Sequence, residues 1–143
     1  MNLSKHVKFR KVADPTDAGT GAVNSTAVDM AGYDGVLFLT SIGTANANNT
    51  INAAQGAQAN GGDAADLEGT KVTPGDDNSG AWLDVYKPAD RYVRLEVARG
   101  ASTTVGDIWA ILYQGRILPE AAANLVTDEL IGELHISPDE GTA

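Results

Sequence analysis

The sequence predicts an all-β fold, a single-domain β-sandwich or jelly-roll-like barrel with short terminal arms. Three observations carry this. Apolar residues alternate with period two in several short stretches, the pattern of strands with one buried face. Glycine is abundant, 16 of 143 residues, and much of it sits beside Asn, Asp, Ala or Thr, the chemistry of turns between strands. The length falls in the range of one domain, roughly 100–150 residues. With 43% apolar but only 6% aromatic residues, the core must lean on Val, Ile, Leu and Ala.

In chain order, Val7, Phe9 and Lys11 alternate with Lys8, Arg10 and Val12, as in an edge strand or an ordered arm whose cations blunt the edge. Residues 14–19 are a loop by composition, and 22–30 are weakly β. Val36 to Leu39 is apolar at every position, bracketed by Gly35 and Gly43, as expected for a strand covered on both faces. Residues 50–59 read as a small-residue strand; an Ala-rich helix competes but is weakened by its glycines. Residues 64–68 allow a helical turn with Asp63 as its N-cap. Pro74 to Gly80 is a loop. Trp82, Asp84 and Tyr86 then alternate with Leu83 and Val85.

The clearest strand follows. Tyr92, Arg94, Glu96 and Ala98 lie on one face, and Val93, Leu95 and Val97 on the other, between stop signals at Pro88 and Gly100. The run 107–113 reads as its hairpin partner. Its apolar face is expected to pack against Val36–Leu39 and Ile108–Leu112. A short helix over 120–124, a last strand over 129–137 and a frayed end over 138–143 complete the chain. The division is a basic N-terminal arm over 1–12, a β-domain over 13–119 and an acidic C-terminal extension over 120–143.

Net charge is −9, yet Lys5, Lys8, Arg10 and Lys11 place four cations and no carboxylate in the first twelve residues. An acidic body argues against a nucleic-acid-binding face. A basic arm on it suggests docking onto an acidic partner or a neighbouring copy; a solvated terminal strand is the plainer reading. The charged N-terminus lacks the apolar segment of a secretory signal, and no apolar run approaches the roughly 20 residues of a membrane helix, so a soluble chain with no membrane partner is expected.

Catalytic and metal chemistry find little footing. There is no cysteine, which removes disulfides and thiolate metal sites. Asp63, Asp66 and Glu68, and Asp76 with Asp77 and Asn78, lack the alternate spacing of a calcium loop and read as turn carboxylates. His6 and His135 show no zinc spacing, and no nucleophile elbow or phosphate-binding glycine loop occurs. No catalytic, metal or cofactor site is expected. Arg91, Arg94 and Arg99 remain. They either pair with carboxylates on their own sheet or meet acidic surfaces of identical neighbours.

Several ordered segments carry a resemblance: Gly32–Phe38, Gln55–Gln58, Asp66–Thr70, Asp84–Pro88, Arg91–Arg94, Ile108–Tyr113 before Arg116, and His135–Thr142. Together the chain resembles virion structural proteins of tailed bacteriophages, of the capsid decoration (cement) type. That resemblance implies a non-enzymatic β-rich protein on the exterior of the phage head, made in the host cytoplasm, with the major capsid protein as partner and homotrimers clamping the lattice. The segment Lys5, Val7, Lys8, Phe9, Arg10 and Lys11 would then be the clamp, with Arg91, Arg94 and Arg99 as inter-subunit contacts. A tail or head–tail component, or a carbohydrate-binding module with Trp82 or Trp109 exposed, are the rival readings.

Overall fold

The computed structural model describes residues 1–121, 130–137 and 140–141. Strands dominate, in two antiparallel sheets, and the fold is an all-β single domain. The larger sheet contains β1 (Val7–Ala13), β2 (Thr16–Gly19), β5 (Gly35–Ile42), β8 (Ser79–Tyr86), β10 (Thr103–Val105) and β11 (Ile108–Tyr113). Its spine is β5, which pairs with β8 along eight residues on one side and with β11 and β10 on the other. Beyond these lie β1, against β11, and β2, against β10. The smaller sheet contains β3 (Val23–Asn24), β4 (Val28–Asp29), β6 (Asn49–Gly56), β7 (Ala65–Asp66) and β9 (Tyr92–Arg99), with β9 and β6 at its centre.

One core lies between the sheets. Val36, Phe38 and Ile42 of β5 and Ile108, Ala110 and Leu112 of β11 meet Ile51 and Ala53 of β6 and Val93, Leu95 and Val97 of β9. All are essentially inaccessible. Burying each large aliphatic or aromatic side chain among them contributes about 1.5–3 kcal/mol before chain entropy is set against it. Period two holds through β8 and β9, so the apolar rows of both strands point inward as the sequence predicts.

The pairing differs from expectation in instructive ways. Strand β9 and residues 108–113 are not a hairpin: they belong to opposite sheets and meet only across the core. Alternation reports which side of a strand is buried and says nothing about which sheet it joins. Residues 64–68 do not form a helical turn, because Ala65 and Asp66 pair antiparallel with β6 instead and the Asp63 carboxylate accepts from the Ala57 and Gln58 amides. Of the predicted last strand, Leu130 makes a single bridge and 131–137 are in no strand. The expected helix over 120–124 and the frayed end at 138–143 fall largely outside the described residues.

The basic N-terminal segment is built into the domain rather than projecting as an arm. Five consecutive residues of β1 pair with β11, and Val7 and Val12 are buried. The Thr26 amide and hydroxyl both donate to the Val12 carbonyl. Of the two forms the alternation allows, edge strand or ordered arm, residues 7–13 take the edge strand.

Candidate functional site

Paired residues in an antiparallel ladder point to the same face, so the register fixes what the larger sheet presents outward. One outer row is Lys11, Trp109, Leu39 and Trp82; the next is Phe9, Ile111, Leu37 and Asp84; the third is Val7, Tyr113, Gly35 and Tyr86. Leu39 is 42% exposed and Trp82 62%, while Leu37, Phe9, Trp109 and Ile111 are half-buried by their neighbours. Four strands thus lay apolar and aromatic side chains side by side on a face that no other element covers among the described residues. Val36–Leu39 reads in the sequence as a strand covered on both sides; the domain covers only one. A contiguous apolar patch of this kind marks an interaction surface more often than a solvated one.

The third row is rigid. A Cβ at Gly35 would fall 2.1 Å from the Tyr113 ring, so only glycine lets that ring lie across β5. There it stacks against Tyr86, with centroids 6.5 Å apart and planes 5° from parallel, and its hydroxyl donates to Asp84 at 2.6 Å. Burial and the Asp84 carboxylate together push the Tyr113 phenol well above its ordinary ionisation range. The charge on this face is held down, since Lys11 bridges Asp14 and Asp107 at 2.9 and 2.8 Å.

Of the six β1-segment residues, Phe9 and Lys11 lie on the outer face, and Val7 shares that face but is buried. Lys8 and Arg10 share rows with the inward-facing Leu112 and Ala110, at the rim of the sandwich. The Lys8 ammonium sits 5.7 Å over the Tyr33 ring, and desolvation, with Arg10 nearby, lowers its pKa. The Tyr33 hydroxyl lies 2.8 and 2.9 Å from the two oxygens of the buried Glu120 carboxylate. Burial first, then this hydrogen bond, pushes Tyr33 up to about 12. The folded state therefore keeps this proton when the unfolded chain, ionising near 10, has lost it, and stability falls as pH rises between those values. Tyr33→Phe is expected to flatten that alkaline loss and to remove one late-ionising component from the tyrosinate absorbance titration.

The three arginines separate. Arg91 makes a bidentate pair with Asp29, at 2.8 and 2.7 Å, and holds that carboxyl below its ordinary range. Arg94 pairs with Glu96 on its own strand and donates to the Gly61 carbonyl. Arg99 is 8% exposed and donates to the backbone carbonyls of Gly21, Asp17 and Thr103. Its guanidinium is thus engaged by carbonyls of its own protomer. The acidic clusters likewise serve turns, with Asp66 accepting from Asn52 and Asp77 from the Ala45 amide.

No protein-family model and no curated protein matches the chain. Solved structures with a similar course do exist. One is of Bacillus endospore appendages, a family of disulfide-linked pili: 18% identity, 79% of this chain and 92% of that one covered, TM-score 0.47. A second is the SPBc2 prophage-derived protein YomS, at 10% identity, 74% and 91% coverage and TM-score 0.42. A third is FLHE, at 11% identity, 76% and 94% coverage and TM-score 0.35. The chain has no cysteine with which to form a disulfide link. Identities and scores this low leave the functional reading to the chain's own residues.

Proposed function

We propose that the chain is a non-enzymatic structural protein of a tailed-phage virion, a capsid decoration protein that binds the outside of the head and clamps neighbouring major capsid subunits, with copies associating as homotrimers. The observation that carries this reading is the outer face of the larger sheet. Four neighbouring strands place apolar or aromatic side chains on it, and Val36–Leu39 has the composition of a strand covered twice. The resemblance of the ordered segments supplies the partner, the capsid lattice. Across a shell, many weak copies of one contact add up to stable attachment.

The test is stoichiometry. Purified particles should carry hundreds of copies, removable from intact heads without loss of the head itself. A handful of copies per particle, or copies that travel with tails, would move the protein to a tail or head–tail role. One observation favours a second reading: the exposed Trp82 has the placement of a sugar-stacking residue. Calorimetric titration of the isolated protein with glycans should give no heat of binding if the capsid reading holds.

A further inference from the structure

We propose that residues 131–137 of one copy add as a strand to the open β8 edge of the next. Two unsatisfied features meet in this idea. Among the described residues β8 pairs with β5 alone, through eight uninterrupted positions without bulge or proline. Among the described residues its other edge meets no strand partner, and of the usual guards against strand addition it carries only Asp84, already bonded to Tyr113. Edge strand β1, by contrast, is studded with Lys8, Arg10 and Lys11 and tied to Thr26.

The other feature is the tail. Leu130, Gly132, Leu134 and Ile136 alternate with Ile131, Glu133 and His135, a strand pattern, yet 131–137 lie in no sheet. Ile131 is 86% exposed, Ile136 78% and Leu134 41%. A strand-patterned segment with its apolar side chains in water, and a strand edge with its amides in water, are complementary forms. Charge agrees. From Glu120 onward there is no Lys or Arg. Lys87, directly after β8, and Arg116 line one depression there beside Asp34 and Asp90, and the two cations make no ion pair among the described residues.

The placement favours a second copy over the chain's own edge. The Glu120 amide donates to the Lys5 carbonyl, so the tail departs beside β1, at the opposite margin of the sheet from β8. Donor on one margin and acceptor on the other is a head-to-tail arrangement, which closes into a ring when the rotation allows. This inference does not require the capsid reading, and it is tested without heads.

The experiment compares the full chain with Leu134→Asp/Ile136→Asp, whose side chains are exposed and whose domain should therefore melt as the unaltered one does. Sedimentation across a concentration series gives the mass, and hydrogen exchange follows the amides of residues 79–86. The full chain should associate and protect the β8 amides that β5 leaves unbonded; the double variant should be monomeric and exchange those amides at least ~10-fold faster, with β9 unchanged. The proposal is overturned by a monomeric full chain whose β8 amides exchange as the variant's do. It is also overturned by association that the variant leaves intact, which would point to the outer face, or by β8 protection in a monomer, which would place the tail on its own edge.

Discussion

Replacing Arg99 by methionine should destabilise the domain by about 2–4 kcal/mol, lowering the melting temperature by roughly 6–15 °C. The methionine keeps an unbranched apolar stem and removes the guanidinium with its donors. Three carbonyls, of Asp17, Gly21 and Thr103, then lose a charged partner inside the fold. Against this stands a gain, since a guanidinium no longer has to be taken from water. The loss should prevail because every bond is to a backbone carbonyl that has been positioned by the strand ends, and even a Cβ added at Gly19 would stand 3.4 Å from the guanidinium. Methionine cannot satisfy those carbonyls, and the closed geometry leaves little room for water to do so. Arg99→Lys restores charge but not the planar fork, so it should recover about half of the deficit. A denaturant midpoint for R99M within about 1 kcal/mol of the unaltered chain would show that the carbonyl cluster is not what pins β2 and the β2–β3 turn to the end of β9.

Arg99 also shows where the sequence was legible and where it was not. By type it looks like Arg91 and Arg94, and composition offers no reason to separate them. By position it continues the row Val93, Leu95, Val97, so the period-two lattice of β9 already places it on the buried side. That signal was available in the spacing. Strands β5, β8 and β9 were legible for a related reason, because a run or row of three or more apolar positions outweighs weak local propensity. The partner of residues 108–113 was not legible, since pairing between distant strands is decided by global packing of the two sheets. The helical turn at 64–68 failed because Asp63 found better use holding two amides of the preceding turn than capping a helix. The candidate site was half legible. Val36–Leu39 announces two covered faces, but that Trp82, Trp109 and Phe9 share the outer face follows only from the register of β8, β11 and β1 against β5.

Truncating Trp82 to alanine should leave the fold intact and weaken attachment to heads at least ~30-fold per site, the ~2 kcal/mol expected when a central aromatic anchor is removed. Trp82 is 62% exposed, so its loss opens no cavity, and melting should shift by no more than a degree or two. It gains most from docking, since most of its ring is still in water, whereas Trp109 in the same row has already been covered by its neighbours. Leu39 stands between them, and Leu39→Asp should act in the same direction by placing an unpaired carboxylate in the middle of the contact. Arg91→Ala and Arg94→Ala provide the contrast. Both arginines pair with carboxylates of their own protomer, at the surface of the other sheet, and such pairs contribute about 0–1 kcal/mol. Their variants should bind heads within ~3-fold of the unaltered chain. Binding measured by co-sedimentation below saturation, where multivalency does not mask a weakened site, separates the cases. Loss of attachment in the arginine variants with W82A binding normally would shift the docking surface to the smaller sheet. Loss in W82A alone would assign it to the face that β5 leaves uncovered.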